Sequence, residues 1–165
     1  MVITFIEKQH NMILLIGSYL LLIYALNRKD ENSSFDGGGT IKSCPAATGN
    51  LELNTKNRNK AIRAEWIGYG PANVDQPADF WIKIASFWKT SVNSAKGMKC
   101  SNCVAFDVSP RMRDCMKVVS DKDGDFGYCW MHHFKCHSAR TCRTWAKGGA
   151  ITTDEKSYEW QEKNK

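Results

Sequence analysis

Hydrophobic positions fall into three regimes along the chain. From Met12 to Leu26 they are continuous, and "MILLIGSYLLLIYAL" carries no charge. Residues 27–43, "NRKDENSSFDGGGTIKS", lose the pattern: they are polar, aperiodic and rich in Gly and Ser, which predicts a flexible linker. Beyond Cys44 the apolar residues recur at helical spacing only in short runs broken by Gly and Pro. That pattern predicts a single domain of short helices and a hairpin over 44–165.

Within that domain "LNTKNRNKAIRAEWIGYGP" predicts a helix capped by Asn54 or Thr55, with Ile62 and Trp66 on one face and Gly68 or Gly70 ending it. In "DQPADFWIKIASFWKT" Phe80, Ile84 and Trp88 form a stripe at spacing four, read as core packing rather than an aromatic ligand box. Thr90 or Ser91 caps a further turn through Ala95. Ser109-Pro110 opens a short helix over "RMRDC". "KVVSDKDGDFGYCWM" reads as a hairpin from Val118 and Val119 through a turn at Asp123-Gly124 to Phe126–Trp130. Ser138 is placed to cap "ARTCRTW", and Thr152 to Glu155 forms a capping-box pattern ahead of "KSYEWQEK". The expected fold is small, loop-rich α+β: helical over 44–98, a cysteine cluster region over 99–145 and a C-terminal helix over 152–163. Its short helices and hairpin would surround a thiolate-bound cluster, with an N-terminal apolar helix ahead of them.

The apolar segment, residues 1–26, has three readings. A spanning helix wants about 20 apolar residues, and Asn11 and Asn27 could extend this one at the interface. A signal peptide would want a positive n-region and a small-residue cleavage site; Glu7 stands beside Lys8 and no such site follows Leu26. A buried helix, or a start placed too early, is the third. The anchor reading fits best. Arg28, Lys29, Lys42, Lys56, Arg58 and Lys60 follow the segment, which leans the C-terminal domain to the cytoplasm.

Composition narrows the class. With 42% hydrophobic and 24% charged residues the chain is not disordered. The net charge of +6 is spread thinly, with no run of five Lys or Arg, so nucleic acid is not an expected partner. Asp121, Asp123 and Asp125 invite a calcium reading, but Gly124 sits at the fourth loop position and no Glu follows at the twelfth; a turn is the better reading.

Seven cysteines change the picture most. Six lie within residues 100–142, spaced Cys100-x2-Cys103-x11-Cys115-x13-Cys129-x6-Cys136-x5-Cys142, and Cys44 stands apart. A C-x2-C pair aims two thiolates of one turn at a common centre, and cysteines from distant segments can complete a cage for Zn²⁺ or an iron–sulfur cluster. Zinc would take a second knuckle from Cys129-x2-His132 or His133-x2-Cys136. Disulfides are the third option, with Cys136 and Cys142 as a pair across a short helix. Thiol catalysis with His132, His133 or His137 is the weakest reading, and no catalytic residue is assigned.

"CSNCVAF", the x13 interval from Cys115 to Cys129, and "GYCW" resemble the cluster region of high-potential iron–sulfur proteins. That resemblance implies a [4Fe–4S] cluster held by Cys100, Cys103, Cys115 and Cys129, with a structural or electron-transfer role. Cys136, Cys142, His132 and His133 stand as alternate metal ligands, with Zn²⁺ the alternative to the cluster. A second resemblance runs through "CPAATGNLELNTKNRNKAI", "YGPANVDQPADFW", "CSNCVAFDVSPRMRDCM" and "GYCWMHHFKCHSARTCRTWAKGG". These look like an uncharacterised cysteine-rich family of marine tailed bacteriophages. It implies viral origin, other virion proteins as partners, and either a membrane-anchored place in the infected host or association with the virion. The rival functions are a zinc-stapled virion or host-interaction protein, and a disulfide-bonded secreted domain.

Overall fold

The computed structural model describes residues 43–117 and 120–164. The expected anchor, the linker up to residue 42, and Val118 and Val119 lie outside the described residues. Among the described residues no helix is long and apolar enough to cross a membrane.

The fold is small α+β. Helix α1 (Ala46–Gly49) leads into α2 (Leu51–Arg63), then α3 (Phe80–Trp88) and α4 (Val92–Lys96). A 3₁₀ turn (Cys100–Asn102) precedes strand β1 (Phe106–Asp107) and helix α5 (Pro110–Met116). Strands β2 (Ser120–Asp121), β3 (Gly124–Cys129) and β4 (Phe134–His137) follow, and α6 (Asp154–Lys163) ends the described chain. All strand pairings are antiparallel and meet on β3.

Local capping explains most helix starts. Ser91 accepts from the Ser94 amide at 3.1 Å and Ser109 from the Met112 amide at 3.4 Å, with Pro110 in the first turn. Thr153 caps α6 through the Lys156 amide. For α2 the cap is Asn50, not Asn54 or Thr55: its Oδ1 accepts from the Leu53 amide at 2.9 Å. Asn54 is instead buried, and its Oδ1 accepts from the Lys135 amide of β4 at 2.8 Å. The inward face of α2 is therefore Asn54 and Ala61, while Ile62 and Trp66 point to solvent. The helix expected over "ARTCRTW" does not form. The Thr141 and Arg143 amides bond the Gly70 and Ile67 carbonyls instead, laying this segment against the 67–70 loop.

A hairpin forms here, but its turn is Lys122-Asp123, one position ahead of the expected Asp123-Gly124, and Gly124 already pairs with Asp121; Asp121 Oδ1 accepts from the Asp123 and Gly124 amides. One face of β3 and β4 carries Gly127, Cys129, Phe134 and Cys136, because Gly127 pairs with Cys136 and Cys129 with Phe134. The other face carries Tyr128, with Lys135 opposite it. Trp130 packs edge-on against Tyr128, ring centroids 5.0 Å apart, and donates to Asp107 Oδ2 at 2.8 Å.

Candidate thiolate centre

Three segments bring cysteines to the Cys129 face of the sheet. The 3₁₀ turn supplies Cys100 and Cys103, closed by the Cys103 amide to the Cys100 carbonyl at 2.9 Å. It is docked on the 138–147 segment: the Cys100 amide bonds the Arg140 carbonyl at 2.7 Å, and the Val104 amide the Ala146 carbonyl at 2.9 Å. The β3–β4 hairpin supplies Cys129 and Cys136. Cys136 stands opposite Gly127 and so diagonal to Cys129 on the same face. The 138–147 segment supplies Cys142. Cys100, Cys103, Cys136 and Cys142 are buried in one core cluster, and Cys129 is half-buried against it.

The electrostatics divide these five thiols. Cys129 is held below the usual thiol range, first by a hydrogen bond from Cys136 and further by the His132 and Met131 amides. Cys136 is pushed far up by burial, then by its hydrogen bonds to Cys100 and Cys129, so it is the partner that keeps its proton. Burial raises Cys103 against the pull of the Ala146 and Ala105 amides. Burial pushes Cys142 up to about 12 against the hydroxyl and amide of Thr144. Cys103, Cys129 and Cys142 thus each face the amide of the residue two places on: Ala105, Met131 and Thr144. Such donors stabilise sulfur-borne charge.

The expected ligand set needs one correction. Cys115, on α5, is joined to Cys44 in a disulfide, with Cα atoms 5.6 Å apart. Its sulfur is therefore not a free thiolate, and Cys44 gains a role the spacing did not assign. Cys100, Cys103 and Cys129 do come together, and Cys136 and Cys142 join them as separate thiols with no helix between. His132 reaches the group indirectly: its Nε2 lies 2.7 Å from Thr144 Oγ1, which is 3.2 Å from Cys142 Sγ. His133 closes the hairpin loop at φ 53°, and its ring meets Tyr128 at 6.5 Å. Burial holds both histidines below the ordinary imidazole range. Among the described residues no three His, Cys, Asp or Glu side chains form a ready cage for a single metal ion.

Thr144 and the amides of Ala105, Met131 and Ala146 were not singled out from sequence. For Thr144, Ala105 and Met131 the signal is the position two residues after a cysteine, and the antiparallel parity sets Cys129 and Cys136 on one face; Ala146 reaches Cys103 from a distant segment and has no local signal. Compared with known proteins, the chain matches no family model, no curated protein and no solved structure.

Proposed function

We propose that this domain binds a [4Fe–4S] cluster through Cys100, Cys103, Cys129 and Cys142, for one-electron transfer. The observation that carries the reading is the convergence of these four buried or half-buried cysteines from three segments on one sheet face, three of them facing the amide two residues on. Amide N–H groups at the ligand sulfurs and an apolar surround are what tune such a cluster. Phe134 and Phe106 supply the surround on this face. Phe106 pairs with Cys129 and fills the space above Gly127, and Tyr69 packs on Phe134 with centroids 4.8 Å apart.

Two arguments shape the ligand set and the metal. In the metal-free chain Cys136 is the thiol that donates to both Cys100 and Cys129, which sets it apart from the four proposed ligands. A cube and a single Zn²⁺ with four thiolates carry the same net charge, but the cube spreads it over a larger volume. Its desolvation on burial therefore costs less.

Anaerobic purification and metal analysis test the reading. The expected result is brown protein with about four irons and about four sulfides per chain. Cys103→Ser and Cys142→Ser should lose iron while Cys136→Ser keeps it. Stoichiometric colourless zinc in the wild type overturns the cluster; iron retained by Cys142→Ser overturns the ligand set.

A further inference from the structure

One route leads from the thiol group to solvent. Cys142 Sγ lies 3.2 Å from Thr144 Oγ1, which lies 2.7 Å from His132 Nε2. The His132 ring meets the Trp66 ring edge-on, centroids 5.9 Å apart, and Trp66 is 61% exposed. These groups open on a cleft of about 150 Å³ lined by Asn57, Lys60, Trp66, Met131, His132 and His133.

A cationic helix face borders that cleft through Lys60. Lys60 is on α2, and Lys56 and Arg63 stand four residues before and three after it, so all three share one helix face. All three are exposed. The acidic neighbour Glu65 has an exposed carboxylate 4.0 Å from the Arg143 guanidinium, so that acid is faced by a cation of its own. Glu52, on the same helix face as Lys56, is two turns from Lys60, at the N-terminal end of α2.

We infer that this cleft is the docking surface for an acidic one-electron redox protein, with Trp66, His132 and Thr144 forming the route to Cys142. The inference rests on the cluster reading above. The exchange moves one electron and no atoms: the partner is oxidised by one electron as the cluster is reduced, or the reverse. Lys56, Lys60 and Arg63 steer and orient the acidic face. The exposed indole gives it an apolar centre beside that charged helix face, the arrangement of residues that dominate interfaces.

Stopped-flow mixing of the cluster-loaded chain with an acidic plant-type ferredoxin, reduced as donor and oxidised as acceptor, tests this. The second-order rate should fall steeply with ionic strength. At low salt the double variant Lys56→Glu/Lys60→Glu should lose about tenfold or more. Trp66→Ala should slow the reaction at every ionic strength, with iron content and the end point of dithionite reduction unchanged. A rate indifferent to salt and to the charge reversal, or no exchange in either direction, overturns the inference and leaves the cluster reading standing. A wild-type chain without iron and sulfide removes both.

Discussion

Replacing both Cys44 and Cys115 with serine tests how the seven thiols are divided. The disulfide spans 71 residues of sequence. In the chain-entropy treatment, closing a loop of that length removes about 15 cal/mol/K from the unfolded chain, or about 4.4 kcal/mol at 25 °C. That is a large share of the roughly 5–15 kcal/mol that holds a typical domain together. Strain and residual structure in the reduced chain commonly lower the delivered value, so the expected loss is about 3–4 kcal/mol.

The four proposed cluster ligands should be indifferent to this change. Lys135, on the Tyr128 face of β4, donates to the Met116 carbonyl at the end of α5, and a cavity is lined by Cys44, Tyr128 and Trp130 together. The disulfide therefore lies on the Tyr128 side of the sheet, and the other five cysteines on the Cys129 side. Urea denaturation of wild type and double variant, with iron counted before unfolding, reads both quantities. A stability loss under about 1 kcal/mol refutes the entropic argument. Iron lost from a variant that is still folded refutes the division of ligands, because Cys115 would then belong to the centre.

Further outcomes follow from single contacts. Asp107 is fully buried and accepts from the Ser109 amide, Trp130 Nε1 and Ser157 Oγ; Asp107→Ala leaves three donors unpaired and should cost more than about 3 kcal/mol, read from the denaturation midpoint. At Gly127 an added Cβ would overlap the Phe106 ring and stand 2.9 Å from the Asp107 carbonyl, so Gly127→Ala should cost about 1–3 kcal/mol; an unchanged Tm would show that β1 yields freely. Asp121 is held below the usual carboxylate range, first by the Asp123 amide and then by His137. Because its folded value is the depressed one, its contribution is complete above about pH 3.9 and is lost as pH falls through the lowered value. The Asp123 and Gly124 amide shifts should titrate below that point, and a midpoint at or above it contradicts the turn geometry.

Sequence legibility followed the range of the interactions. Ser91 and Ser109 were readable as caps because a cap is settled within three residues. The parity of Cys129 and Cys136 was also within reach, since a hairpin fixes which positions share a face. The inward face of α2 was not, because Asn54 is buried for a bond to Lys135, 81 residues away. The same holds for "ARTCRTW", whose amides are claimed by Gly70 and Ile67 before a helix can use them. Cys115 misled for the clearest reason. Its interval to Cys129 resembled a ligand spacing, while its actual partner lies far off in the chain and no local interval encodes the pair.

Thiol reactivity in the metal-free folded chain should follow the same division. Alkylation proceeds through the thiolate, so its rate tracks both ionisation and access. Ionisation favours Cys129, whose pKa the Cys136 hydrogen bond and two amides lower. Cys136 and Cys142 have neither, being buried with their thiols pushed up. Cys44 and Cys115 cannot react until their bond is reduced. Timed iodoacetamide labelling under native conditions, read by peptide mass, should therefore modify Cys129 first and Cys136 and Cys142 last. Cys136→Ala should slow the reaction at Cys129, since it removes the donor that favours the thiolate. Labelling of Cys142 as fast as Cys129 would mean the two do not differ as their surroundings require. Loading the cluster should then protect Cys129 along with the other ligands, whereas a protein in which metal leaves Cys129 as reactive as before does not use that sulfur to hold it.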